Sequence, residues 1–150
     1  MTSVFVVTQR VIISGTRSEL DPEDRITIRA ALSPYVEAGC EFGVGDCSGV
    51  DAWARYLLQR IGVRVFRADW DAHGSSAGPR RNSEMVAWAA KGIEQWLNGV
   101  PGVPRGVLLA FPGPKSKGTW DCIRKAQGAG LDDYITRIGL SEVTRRGPYR

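Results

Sequence analysis

Histidine is nearly missing from this chain of 150 residues, and the sole one is His73. A Ser–His or Cys–His nucleophilic site therefore has one candidate base, and neither an H-E-x-x-H pair nor a G-x-S-x-G elbow occurs. Cysteine is scarce too: Cys40, Cys47 and Cys122. An odd number without C-x-x-C spacing excludes a disulfide framework and a cysteine zinc site, and fits a reducing compartment. No apolar run approaches the roughly 18 residues needed to span a membrane. The N-terminus has neither the basic stretch nor the long apolar core of a secretory signal. The chain is expected to be cytosolic, with no membrane partner.

Glycine is plentiful, with 18 residues. Hydrophobic residues make up 43% and charged residues 24%, ordinary shares for a soluble globular chain. The length suits one domain, residues 1–150, with its core at about 10–138. A net charge of +4 is mild, and part of it sits in the basic tail at 141–150. That charge leaves nucleic-acid binding open without favouring it.

Strand and helix signals alternate along the chain. Arg10–Gly15 reads as a buried strand, and Asp21-Pro22-Glu23-Asp24 as a helix start with a capping Asp and Pro at the first helical position. That helix is predicted to reach about Ala38, stop at Gly39, and be bent or shortened by Pro34. Strands follow at 40–45, 63–68 and 106–111, the last being the most apolar and expected near the sheet centre, and a final one at 133–138. Helices are predicted from Ser48-Gly49-Val50-Asp51 to Ile61, through Met85, Trp88, Ile93 and Trp96, and over Thr119–Gln127. A long loop is predicted from Asp69 to about Arg81, and 98–104 is a break. The pattern implies an α/β, single-domain, Rossmann-like three-layer fold with a mostly parallel sheet.

Four glycine-bearing segments follow strands, where a parallel sheet gathers its ligand-binding loops. In Ser14-Gly15-Thr16-Arg17, glycine permits close backbone approach, and Arg17 is either a fork for phosphate or a surface arginine on a turn. Gly43, Gly45 and Gly49 are one residue too long for a dinucleotide fingerprint. The segment reads instead as a helix N-terminus able to receive an anion. There Asp51 serves either a ribose hydroxyl or helix-start electrostatics. The third segment carries Asp69, Trp70, Asp71, His73, Gly78, Arg81 and Asn82. Arg81 and Asn82 suit an anionic or base-bearing ligand, and Trp70 is either a base-stacking surface or a core anchor. Alternate spacing of Asp69, Asp71 and His73 is weak for a metal, and none is expected. In Lys117-Gly118-Thr119 the lysine precedes the glycine, so this is not a Walker A loop. It still offers amides, a hydroxyl and a charge to phosphate, unless Thr119 serves only as a helix cap.

Together, Ile13-Ser14-Gly15-Thr16-Arg17, Gly45-Asp46-Cys47-Ser48-Gly49-Val50-Asp51, Ala68-Asp69-Trp70 with Ala77-Gly78-Pro79-Arg80-Arg81-Asn82-Ser83-Glu84-Met85, and Lys117-Gly118-Thr119 resemble the YspA-type (cpYpsA-related) branch of the SLOG superfamily. The resemblance covers roughly residues 10–130. It extends to the LOG phosphoribohydrolases and DprA-like DNA-processing proteins. It implies a Rossmannoid domain whose loops bind a nucleotide derivative, as a sensor or a nucleotide-processing enzyme in stress or phage–host conflict. LOG hydrolases carry PGGxGTxxE, whose glutamate assists N-glycosidic cleavage. Here Cys122 stands at the glutamate position and Asp121 one residue early, a rotation of about 100° on a helix.

The expected activity is binding of a nucleotide-like small molecule. Ser14, Gly15, Thr16 and Arg17 form one side, with Gly45, Gly49 and Asp51 beside them. Asp69, Trp70, Gly78, Arg81 and Asn82 form a second group, with phosphate at Lys117, Gly118 and Thr119. The alternatives are nucleotide N-glycoside hydrolysis with Asp51 or Asp121 as the carboxylate, and a DNA-binding module. No cofactor is expected. Trp88 and Trp96 leave self-association and plain core packing both open.

Overall fold

The computed structural model describes residues 9–91 and 106–139. Five strands form one sheet in the order β3-β2-β1-β4-β5, every neighbouring pair parallel. They are β1 (Arg10–Gly15), β2 (Glu41–Gly45), β3 (Arg64–Phe66), β4 (Val107–Phe111) and β5 (Asp132–Ile135). The helices between them are α1 (Pro22–Glu37), α2 (Val50–Leu58), α3 (Trp70–His73), α4 (Ala77–Lys91) and α5 (Lys117–Gly128). The architecture is a Rossmann-like three-layer α/β fold.

Side-chain alternation on the central strands explains the layers. Val11 and Ile13 of β1, with Val107, Leu109 and Phe111 of β4, pack toward Ile28 and Leu32 of α1 and Ala54 and Leu58 of α2. Ile12, Leu108 and Ala110 face the other way, toward Met85, Val86 and Ala89 of α4 and Ile123 and Ala126 of α5. Both faces being covered, these strands have no polar face, which is why they read as continuous apolar runs.

Helix α1 begins as its sequence predicts. Asp21 accepts the Asp24 amide at 2.8 Å, Pro22 is the first helical residue, and Gly39 turns the chain with φ +75°. The helix continues through Pro34 to Glu37, so proline does not shorten it. β3 is shorter than predicted, and β4 lies near the sheet centre as expected, directly beside the middle strand β1.

The main correction concerns Asp69–Arg81, which is helical rather than a long loop. Asp69 caps α3 by accepting the Ala72 amide at 3.0 Å, a single 3₁₀ turn spans Gly74–Ser76, and α4 starts at Ala77. Pro79 lies in the first turn of α4, where an amide has no intrahelical partner and proline costs little. Likewise α5 starts at Lys117, so Thr119 lies within its first turn and is not its cap. Ile93, Trp96, the break at 98–104 and the basic tail lie outside the described residues.

Leu108 is fully buried on β4 between the sheet and α4–α5. Leu108→Ala should cost about 2–5 kcal/mol in urea unfolding. A loss below about 1 kcal/mol would show that the layer behind the sheet is not close-packed.

Candidate functional site

The sheet order reverses direction at β1. The chain runs outward from β1 through β2 to β3, then returns to add β4 and β5 on the other side. Ligand crevices form at such a switch point, outside the carboxyl ends of the two strands. Ser14–Gly15 of β1 pair with Ala110–Phe111 of β4 there. An open cleft of about 940 Å³ occupies this position.

The first loop is held from both sides. The Thr16 amide donates to the Phe111 carbonyl and the Val50 amide donates to the Thr16 carbonyl, both at 3.0 Å. Gly49 makes the second contact feasible: its φ is +69°, and a Cβ there would press on the carbonyls of Thr16 and Ser18. The start of α2 is thereby pinned against the loop after β1, which brings Asp51 into the cleft.

Of the residues expected to bind ligand, Ser14, Gly15, Thr16, Arg17, Asp51, Arg81, Asn82, Lys117, Gly118 and Thr119 line the cleft. Gly45, Gly49, Asp69, Trp70 and Gly78 do not, and neither does Asp121, expected as a catalytic carboxylate in the hydrolase alternative. Gly45 supports the cleft from behind, since a Cβ there would collide with the Asp51 carboxylate and the Arg81 guanidinium. Trp70 is 44% exposed, with the Arg17 guanidinium 5.4 Å from its ring centroid, and a Cβ at Gly78 would come within 3.3 Å of the ring atom Cη2.

Arg81 and Asn82 face the cleft with their polar groups already engaged. Arg81 pairs with Asp46 at 3.0 Å, donates Nε to Asn82 Oδ1 at 3.0 Å, and approaches Cys47 Sγ at 3.7 Å. Asn82 Nδ2 donates to the Gly118 carbonyl and to Asp121, each at 3.1 Å. These residues fasten α4 to the end of β2 and to the start of α5. Arg55 completes the frame by donating to the carbonyls of Gly45 (2.8 Å) and Cys47 (3.1 Å).

The free cations lie at the lip. Arg17, Lys115, Lys117 and Arg124 are exposed, line the cleft, and have no carboxylate partner among the described residues. Beside them is the start of α5. Its first amide to reach a backbone carbonyl is that of Trp120, donating to Ser116 at 3.1 Å, and Ser116 supplies no side-chain cap. The Ser116 hydroxyl instead accepts the Gly113 amide at 2.8 Å. Early helical amides therefore point outward, with the positive end of the helix dipole. The Thr119 hydroxyl lies among them, 4% exposed and without a hydrogen-bond partner among the described residues.

The carboxylates differ sharply. Burial pushes the Asp51 carboxyl up to about 6, although Arg81 and the Cys47 amide (3.2 Å from Oδ2) pull the other way. Burial also pushes Asp121 up, but hydrogen bonds from Lys125 (2.8 Å) and Asn82 outweigh it and leave that group below its ordinary range. Asp121 is thus an ionised strut between α5 and α4. Burial drives the Cys122 thiol up to about 12, and it packs behind the sheet with Ile123 and Ala126.

Sequence reasoning missed Cys47, Lys115, Ser116 and Arg124 as lining residues. A serine directly before a helix start was the available signal for Ser116. Arg124 was hidden by helical geometry, about one and a half turns beyond the glycine-bearing segment.

Asp51 binds its proton more tightly folded than unfolded, about 6 against 3.8. Its contribution is therefore fully present below about pH 3.8 and is lost as pH rises through about 6, a change of about 3 kcal/mol. Asp51→Asn should flatten the pH dependence of thermal unfolding across that window and be the more stable form above it. Parallel curves for the two proteins would contradict this.

No protein-family model and no solved structure matches the chain. Among curated proteins, the Gene 61 protein of Mycobacterium phage D29 is 36% identical over 135 residues, covering 82% of this chain and 92% of the phage protein. No described helix is long and apolar enough to cross a membrane. By that identity and coverage, the chain belongs to the family of the phage D29 Gene 61 protein.

Proposed function

We propose that this protein is a SLOG-type module that binds a nucleotide or nucleotide-derived phosphorylated ligand in the switch-point cleft. The observation that carries the reading is the set of four exposed cations, none in a salt bridge among the described residues, around a helix start without a side-chain cap. Open amides, the helix dipole and converging positive charge together favour an anion. The Thr119 hydroxyl adds a neutral donor that suits phosphate oxygens. A volume of about 940 Å³ admits a nucleotide-sized molecule. The sheet order supports the same reading, because its crevice is where doubly wound folds place such ligands.

A second reading, hydrolysis of a nucleotide N-glycosidic bond, is favoured by Asp51. It is a buried carboxylate inside the cleft whose proton affinity is raised toward neutrality, as acid–base catalysts require. In that reaction water adds to the anomeric carbon as the carbon–nitrogen bond breaks. Asp51 takes the water proton and hands it to the departing base. The water's hydroxyl stays on the sugar, its proton leaves with the base, and Asp51 is returned ionised. Neither Asp121, held by Lys125, nor Cys122, packed behind the sheet, is placed for this work.

Mass spectrometry of small molecules that co-purify with the protein, with a thermal-shift panel of nucleotides, tests the binding reading. A ligand present at about 100 times its Kd should add about 2.7 kcal/mol of stability. Thr119→Val should weaken the best ligand about tenfold, the loss of one hydrogen bond to an anion. If no nucleotide raises the melting temperature, the proposal fails. Chromatography after incubation with nucleoside monophosphates or NAD decides the second reading. Free base released by the wild type and not by Asp51→Asn would establish hydrolysis, whereas a shift in stability without base release would leave a binder.

A further inference from the structure

The cleft has two chemically unlike parts, and a phosphate satisfies only one. The lip is cationic. The floor holds Asp51, 4% exposed, whose Oδ2 accepts the Cys47 amide at 3.2 Å. No other hydrogen bond from the protein reaches this carboxylate among the described residues. The arginine beside it, Arg81, is committed to Asp46, Asn82 and Cys47. A carboxylate so deeply buried normally collects several donors, and this one is short of them. A phosphate set against it would be repelled. A metal finds no ligand set either, since no group of three or more His, Cys, Asp or Glu side chains clusters among the described residues. What remains is a neutral donor carried on the ligand itself.

We propose that Asp51 is the specificity-determining residue of the cleft, accepting hydrogen bonds from the vicinal hydroxyls of a sugar whose phosphate sits at the start of α5. The inference rests on the anion-binding reading above and adds the sugar to it. Two adjacent O–H groups match the two oxygens of a carboxylate, and a charged acceptor makes those bonds strong. Hydroxyls complete the floor without adding charge. A site that holds a buried acceptor for a hydroxyl rejects the analogue lacking it, because the acceptor is then left unpaired. The ligand is accordingly an anion at one end and a double donor further along, which separates sugar phosphates from inorganic polyphosphate and from dicarboxylates. An exocyclic base amine offers the same donor chemistry as a hydroxyl, and the experiment separates the two.

The test is calorimetric titration of the full chain near neutral pH with adenosine monophosphate, its 2′-deoxy form, inosine monophosphate, ribose 5-phosphate and inorganic phosphate. Adenosine monophosphate, inosine monophosphate and ribose 5-phosphate should bind, and the 2′-deoxy nucleotide should bind about tenfold or more weakly. Asp51→Asn should bring the ribo-to-deoxyribo ratio within about twofold. Equal wild-type affinity for the ribo and deoxyribo forms overturns the sugar assignment while the anion site stands. That comparison needs no variant, so a poorly folding Asp51→Asn cannot shield the idea. A preference for adenosine over inosine monophosphate that the variant loses moves Asp51 to the base and also overturns it. Failure of every probe, inorganic phosphate included, overturns the anion site itself.

Discussion

Strand β1 hydrogen-bonds to β2 on one side and to β4 on the other, so the chain leaves the central strand in two opposite directions. Loops that leave neighbouring strands in opposite directions cannot close over each other, and a crevice opens between them. The Thr16 segment bridges that crevice at its base, bonded to Phe111 and Val50. The approach of α2, the depth of Asp51 and the exposure of the α5 amides all depend on this pairing. The two apolar layers, Ile28 and Leu32 in front and Met85 and Ile123 behind, hold the sheet that makes it possible.

The arginines around the cleft divide by what neutralises them. Arg81 is a structural cation: a buried guanidinium paired with Asp46 that joins α4 to the loop after β2. Such pairs add little net stability over an apolar replacement, but losing one partner strands the other charge. Arg17, which lies over the Trp70 ring, and Arg124 are exposed at the cleft and make no salt bridge among the described residues. The same split separates the carboxylates. Asp121 is held ionised by Lys125, whereas at Asp51 burial outweighs the pull of Arg81 and Arg55.

Much of the fold was legible because its signals are local. The β-branched run at Val11–Ile13, the Asp21–Pro22 start and the Gly39 stop each act through the backbone within one turn of chain. The misreading at Asp69–Arg81 has the same origin. Gly78-Pro79 has the composition of a turn, yet proline fits the first turn of a helix, and only the packing of Ala77, Met85 and Val86 decides between them. At the site, the four glycine-bearing segments were visible as separate pieces. That ten of the expected residues would share one cleft and six would not was invisible, because it depends on side-chain direction.

The sequence by itself determined the alternation of strand and helix, the parallel three-layer class, and the glycine and hydroxyl residues available after each strand. Those follow from hydrophobic periodicity and backbone preference, which act over a few residues. Tertiary structure alone decided which charges are spent and which are free. Arg81 meets Asp46 across 35 positions and Asn82 meets Asp121 across 39. Burial, which raises Asp51 and Cys122, is a property of the assembled layers. Coulombic and desolvation energies depend on distance through space, and distance along the chain does not report it.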